Sequence, residues 1–111
     1  MAYSQGAVVV AEDPFGTAPR RPYLVVSNGR TPFHGEEYIA AAVTTTARDE
    51  AIELTDERFE RGELSRRSYV SPWAVVTLKD RMITKQPAET TTGVVDEIRQ
   101  AVDAYLRTQA R

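Results

Sequence analysis

Residues 6–28 read GAVVVAEDPFGTAPRRPYLVVSN and contain two short apolar runs separated by a polar loop. The runs, residues 6–12 and 22–28, carry β-branched side chains, which favour strands. The loop between them contains proline and glycine, which are typical of turns. Pro22 suits the first residue of a strand, where its missing N–H does no harm, and it pushes Arg21 into an extended conformation. The stretch predicts two strands, with an arginine where the loop enters the second.

The remainder of the chain continues this pattern and ends in a helix. Residues 36–46 mix alanines, which favour helix, with β-branched residues and threonines, which favour strand, and we expect a strand there. From about Thr91, apolar residues recur at helical spacing, which predicts one amphipathic helix packed on the sheet. The other expected elements are a strand over residues 51–54, a capped helical turn over 55–62 ended by Gly62, and strands over 66–70 and 74–79 that flank a break at Pro72.

Length and composition restrict the class of protein. The 111 residues suffice for one domain, residues 1–111, which we expect to be mainly β with α and mostly antiparallel. The absence of cysteine excludes a disulfide framework, thiolate chemistry and a cysteine zinc site. The net charge of −2 argues against a protein that is basic throughout and binds nucleic acid over its whole surface. The apolar runs are short and no basic segment precedes the first, so we expect a cytoplasmic protein outside the membrane.

The distribution of charge is more informative than its sum. Acidic residues crowd the middle of the chain, whereas several arginines fall around the first loops. This asymmetry predicts a local positive site. The arginines concerned are Arg20, Arg21, Arg30 and Arg48.

Several segments resemble, in this order, the MazF/PemK family of toxin endoribonucleases. They are GAVVVAEDPFG, RRPYLVVSN, YIAAAVTTT and TLKDRMITK, followed by the amphipathic helix. The most specific part is the RPxLVVSN core with a DPxG loop upstream of it. The resemblance implies a small SH3-like barrel of antiparallel strands closed by a C-terminal helix, and a homodimer. It also implies cleavage of single-stranded RNA without metal or cofactor, and an antitoxin protein whose tail fills the RNA groove.

The resemblance further implies that Arg21 and Thr44 are the catalytic pair. Cutting RNA through its own 2′-OH requires a proton acceptor, a stabiliser of negative charge and a proton donor. An arginine suits the second role, because it forks onto phosphate oxygens and is a poor proton acceptor. The hydroxyl of Thr44 suits a hydrogen bond to a phosphate oxygen or to the attacking hydroxyl, and both remain open. Arg20 and Arg48 are expected to bind RNA; His34, the one histidine, is expected in a loop as a reserve proton carrier.

Plainer explanations compete with these roles. Arg21 could form a surface ion pair with Glu12 or Asp13, and a threonine at the end of a strand needs no function to explain it. Tyr69 and Trp73 could stack on bases, although an aromatic side chain in a strand of a small barrel is more often a core or dimer contact.

Two segments depart from the family pattern. The loop GTAPRRP, residues 16–22, lacks the Glu-Gln that many members carry, and residues 75–78 read VVTL where many members have an arginine and an aspartate. Arg48 or Arg81 could compensate for the missing arginine. Three interpretations follow: an antitoxin-controlled endoribonuclease, a non-catalytic module of the same fold that binds RNA or protein, and a related toxin that acts on a protein such as a topoisomerase. The retained Arg21 and Thr44 favour the first.

Overall fold

The structure is a computed structural model that describes residues 2–14, 16 and 19–109. Its regular elements follow the order β1 to β7 and then α1, with two short 3₁₀ turns between strands. The strands are β1 (Ala7–Ala11), β2 (Arg21–Val25), β3 (Glu37–Thr44), β4 (Ile52–Glu53), β5 (Phe59–Gly62), β6 (Tyr69–Lys79) and β7 (Ile83–Thr90). The helix α1 spans Thr92–Leu106, and the 3₁₀ turns span Asp56–Arg58 and Asp80–Met82.

The strands of the described chain form one curled, seven-stranded sheet in the order β4-β6-β3-β2-β1-β7-β5. All neighbouring strands are antiparallel. The strands predicted in residues 6–12, 22–28, 36–46 and 51–54 are confirmed, and so is the closing helix. The predicted class, mainly β with α in a small antiparallel barrel closed by a helix, is therefore correct.

The two faces of the sheet bury different cores, because successive side chains of a strand point to opposite faces. One core lies between the sheet and α1, whose buried residues are Val94, Val95 and Ile98. The other is enclosed by the curl of the sheet and contains the fully buried Tyr23, Tyr38 and Leu78. No helix in the described ranges is long and apolar enough to cross a membrane.

The prediction of two strands flanking Pro72 is wrong, because β6 runs through that position as one strand. Its pairing with β3 shifts register there: Val75 lies opposite Ala41, whereas Ser71 lies opposite Ala42. Residues 72–74 therefore form a bulge without partners in β3. A proline that cannot donate to the ladder is tolerated at a bulge, so it bends the strand without ending it.

Residues 55–62 were predicted as a single helical turn, and this is only partly right. A 3₁₀ turn over Asp56–Arg58 is followed by strand β5, which ends at Gly62. Gly62 has a φ of 70°, and a Cβ there would lie 2.1 Å from the carbonyl oxygen of Pro87 in β7. The close approach of β5 to β7 thus requires glycine. The strand β7 was not predicted, because its polar sequence with a proline gives little strand signal.

Candidate active site

The pairing of β2 with β3 places Arg21 and Thr44 at the same end of the sheet. Tyr23 lies opposite Ala42 in this antiparallel pair. Continuing the same register by two residues places Arg21, the first residue of β2, opposite Thr44, the last residue of β3. Each is two residues from a member of the Tyr23–Ala42 pair, so both belong to the sheet face that carries the core of Tyr23. Two residues that are 23 positions apart in sequence therefore share one end and one face of the sheet.

Arg21 is half-buried and lies opposite the small residue Ala11 of β1. None of the ion pairs among the described residues involves Arg21. The alternative of a surface ion pair with Glu12 or Asp13 is therefore not observed. Arg21 lies at the end of a strand, and the forked donors of its guanidinium suit phosphate oxygens.

The hydroxyl of Thr44 is oriented by its own backbone. Its Oγ1 accepts a hydrogen bond of 3.1 Å from the backbone N–H of Thr46, which forms a local turn directly after β3. One acceptor site of the oxygen is thus used, while the hydroxyl hydrogen can still be donated. This geometry favours a role for Thr44 as donor to a phosphate oxygen.

Tyr23 and Asp13 form a buried pair next to Arg21. The Tyr23 hydroxyl donates to Oδ1 of Asp13 at 3.2 Å; Tyr23 is 0% exposed and Asp13 is 8% exposed. The pKa of Tyr23 is raised to about 12, first by burial and then by the Asp13 carboxylate and its hydrogen bond, while the charge of Arg21 opposes the increase. The phenol therefore stays protonated at neutral pH and acts as a donor. Both charged groups lie close enough to Tyr23 to change its pKa.

Other arginines collect at the same end of the sheet. Arg20 is exposed directly before β2, and Arg48 is exposed in the loop that follows β3. Both were predicted to bind RNA, and that role stays a prediction. Arg66 and Arg67 precede β6, and they were not named as candidate RNA-binding residues in the sequence analysis. Arg67 forms an ion pair of 3.3 Å with Glu53.

A short repeat could have revealed these two arginines. Residues 66–69 read RRSY, which resembles RRPY at residues 20–23. In the structure, Tyr69 begins β6 and lies directly opposite Thr44. Tyr69 is half-buried, on the face that Thr44 shares with Arg21. A second pair of arginines thus precedes a tyrosine at the same end of the sheet.

The structure does not bring His34 into this group. Its ring packs edge-on against Tyr38, with ring centres 5.5 Å apart, beside the start of β3, whereas Thr44 ends that strand. Trp73 is 45% exposed at the bulge in β6. Arg81 lies in the 3₁₀ turn before β7. Among the residues described, no three histidine, aspartate or glutamate side chains are grouped so as to hold a metal ion.

Solved structures share this fold, although the sequence matches no protein-family model and no curated protein. MazF in a MazE–MazF complex from Deinococcus radiodurans superposes with a TM-score of 0.74 at 22% identity, covering 98% of this chain and 99% of the other. A mycobacterial endoribonuclease in complex with its cognate antitoxin gives a TM-score of 0.72 at 21% identity, covering 99% and 98%. The Mycobacterium tuberculosis toxin MazF-mt6 gives 0.71 at 16% identity, covering 94% and 99%. The chain therefore has the fold of the MazF toxins over nearly its whole length.

Proposed function

We propose that this protein is the toxin of a toxin–antitoxin pair and cleaves single-stranded RNA in the cytoplasm without a metal ion. The observation that carries the proposal is that Arg21 begins β2 and Thr44 ends β3, so that the register places them at one end and on one face of two paired strands. The shared fold supports it, since the structural neighbours named above are endoribonucleases or MazF toxins. The retained pair favours this function over a binding module that lacks catalytic groups.

The reaction uses the 2′-OH of the RNA as the nucleophile. Its oxygen bonds to the adjacent phosphorus while the bond from phosphorus to the 5′-oxygen of the next nucleotide breaks. The proton of the 2′-OH passes to a base, and the leaving 5′-oxygen takes up a proton. The products are a 2′,3′-cyclic phosphate and a 5′-hydroxyl end, and negative charge builds on the phosphate oxygens between these states.

Arg21 and Thr44 act on that phosphate. The forked guanidinium of Arg21 stabilises the charge that develops on its oxygens, and its place at the end of a paired strand reduces the cost of ordering it. The Thr44 hydroxyl, already fixed by the Thr46 N–H, donates a further hydrogen bond to the same group. Arg20 and Arg48 are exposed at this end and attract the RNA backbone.

A homodimer is supported by an exposed apolar area on the helix-bearing face. Ile39 and Val75 are each 41% exposed and lie on the same face of neighbouring strands. They line a groove beside α1 together with Val26 and Val102. A second copy that presents the same surface about a two-fold axis would cover it.

An antitoxin is the second proposed partner. Arg20 and Arg48 are exposed and Arg21 is half-buried, so an acidic tail that reached this end of the sheet would find arginine partners, and RNA would compete for the same groups. We expect saturating antitoxin to abolish RNA binding. RNA binding that persists in the presence of bound antitoxin would show that the two sites are separate.

The nature of the RNA ends tests the proposal. Purified protein is incubated with single-stranded RNA in the presence of a chelator, and the ends of the fragments are mapped and analysed chemically. We expect cuts at defined sites with 2′,3′-cyclic phosphate and 5′-hydroxyl ends. Binding of RNA without cleavage would favour a non-catalytic module, and neither binding nor cleavage would favour a protein target.

A further inference from the structure

Tyr23 carries a hydroxyl group that packing of the core does not require. The side chain is fully buried between strands, with Val9 of β1 and Ala42 of β3 as its neighbours in register. A phenylalanine would fill the same space, and a buried hydroxyl costs free energy unless it is hydrogen-bonded. Its partner is the carboxylate of Asp13, which is itself almost completely buried.

The register shows where this hydrogen bond lies. Arg21 and Tyr23 are two residues apart on β2 and therefore share a face. Asp13 is two residues beyond Ala11, the partner of Arg21 in β1. To reach Asp13, the ring of Tyr23 must lean along the strand toward the end that carries Arg21, and the small side chain of Ala11 leaves room for it. The opposite effects of Asp13 and Arg21 on the pKa of Tyr23 agree with this position.

Asp13 also belongs to the beginning of the loop that leads to Arg20 and Arg21. The N–H of Glu12 donates to the carbonyl oxygen of Met82 at 3.1 Å, and the N–H of Gly16 donates to the carbonyl oxygen of Asp13 at 3.0 Å. The hydroxyl of Tyr23, in the core of the sheet, adds a hydrogen bond to the Asp13 carboxylate. The start of the loop is thus fastened to the β6–β7 connection and, through Asp13, to the core.

We propose that Tyr23 and Asp13 are positioning residues for Arg21. Their hydrogen bond fixes Asp13, two residues beyond the partner of Arg21 in β1, against β2, so that the guanidinium meets the RNA phosphate in one fixed direction. The inference rests on the proposed endoribonuclease function for its effect on cleavage. A positioning residue changes the rate of the chemical step more than the affinity for RNA, because a small displacement of a catalytic group greatly lowers the rate.

The chain offers a matched control in Tyr38. This tyrosine is also fully buried, and its hydroxyl donates to Oδ1 of Asp80 at 2.9 Å. Tyr38 lies next to the start of β3, far from Thr44 at the end of that strand. Tyr23→Phe and Tyr38→Phe therefore each remove a hydrogen bond from a buried tyrosine to an aspartate, but only the first removes it beside Arg21. Tyr38→Phe also removes the acceptor of the Tyr3 N–H, so it is the more severe change of the two.

The test compares single-turnover cleavage of a short RNA by the wild type and both variants, at a temperature where all three are folded. We expect Tyr23→Phe to lower the rate at saturating RNA by about tenfold or more while the dissociation constant changes by less than about threefold. Tyr38→Phe should cleave within about twofold of the wild type, even if its melting temperature falls as far as that of Tyr23→Phe. Equal rates for all three proteins, or equal losses in both variants, would overturn the inference.

A second readout separates this inference from the proposed function. In isotope-labelled protein, the Nε–H resonance of Arg21, assigned with the Arg21→Lys variant, reports the order of the guanidinium without any RNA. We expect Tyr23→Phe to reduce that order and Tyr38→Phe to leave it unchanged. If the wild type does not cleave RNA but this pattern appears, the function is wrong and the positioning role stands. If the order of Arg21 is the same in all three proteins, the positioning role is wrong.

Discussion

The buried phenol of Tyr23 should make the stability of the protein depend on alkaline pH. Its pKa is raised from 10.0 to about 12, first because burial penalises the phenolate and then because the Asp13 carboxylate lies beside it. The folded state therefore holds this proton more tightly than the unfolded state. The contribution of this proton to the unfolding free energy is complete below pH 10 and is lost as the pH rises through about 12.

The shift in the pKa of Tyr23 determines how much stability depends on pH. At about 1.4 kcal/mol for each pKa unit, a shift of two units corresponds to at most about 3 kcal/mol, of which about 2 kcal/mol is lost by pH 12. Other groups titrate in this range, so the relevant quantity is the difference between the wild type and Tyr23→Phe. That difference in unfolding free energy should shrink by about 2 kcal/mol between pH 9 and pH 12.

Urea unfolding followed by circular dichroism at several pH values measures this difference. The variant keeps the aromatic ring and loses only the hydroxyl, so that packing in the core is preserved. A difference that stays constant from pH 9 to pH 12 would refute the reasoning, because it would mean that the environment of Tyr23 in the fold does not favour the protonated phenol.

Three further outcomes are expected. Gly62→Ala should lower the unfolding free energy by about 2 to 5 kcal/mol in urea titrations, because it adds a steric clash with β7 to the cost of a positive φ. Gly16 has the same φ of 70° but no described atom within 4 Å of an added Cβ, so Gly16→Ala should lower the unfolding free energy by only about 1 to 2 kcal/mol. Arg48→Ala should reduce the salt dependence of RNA binding by about 0.7 in the logarithmic slope, whereas Arg99→Ala on α1 should not change it. Val75→Asp should convert the proposed dimer to a monomer in sedimentation experiments, and a dimer that persists in this variant would exclude the groove beside α1 as the interface.

The sequence predicts those elements whose residues agree in local preference and pattern. The runs around Val8 and Leu24 are apolar and β-branched, and the spacing of Val94, Val95 and Ile98 is helical, so these elements could be assigned without tertiary information. The strand β7 could not, because Pro87 and its polar neighbours become a strand only through pairing with β1 and β5 on either side.

The sequence also predicts only part of the candidate site. Arg21 and Thr44 were found through the resemblance, but their proximity depends on the register of β2 with β3, which local sequence does not determine. The partner of Tyr23 was missed for a similar reason, since the hydrogen bond to Asp13 spans a loop whose path the sequence leaves open. The predicted break at Pro72 was wrong because a bulge in the pairing of β3 with β6 accommodates the proline, and a bulge depends on both strands.

The central claim is that Arg21 acts on the scissile phosphate, and one comparison tests it most directly. Single-turnover cleavage of a short single-stranded RNA is measured with chelator present for the wild type, Arg21→Ala and, as the matched control, Arg20→Ala. Loss of the Arg21 guanidinium should remove about 3 to 4 kcal/mol of transition-state stabilisation, a decrease in rate on the order of 10²- to 10³-fold, while Arg20→Ala should mainly weaken binding. If Arg21→Ala cleaves at the rate of the wild type, Arg21 has no catalytic role and the endoribonuclease proposal loses its main support.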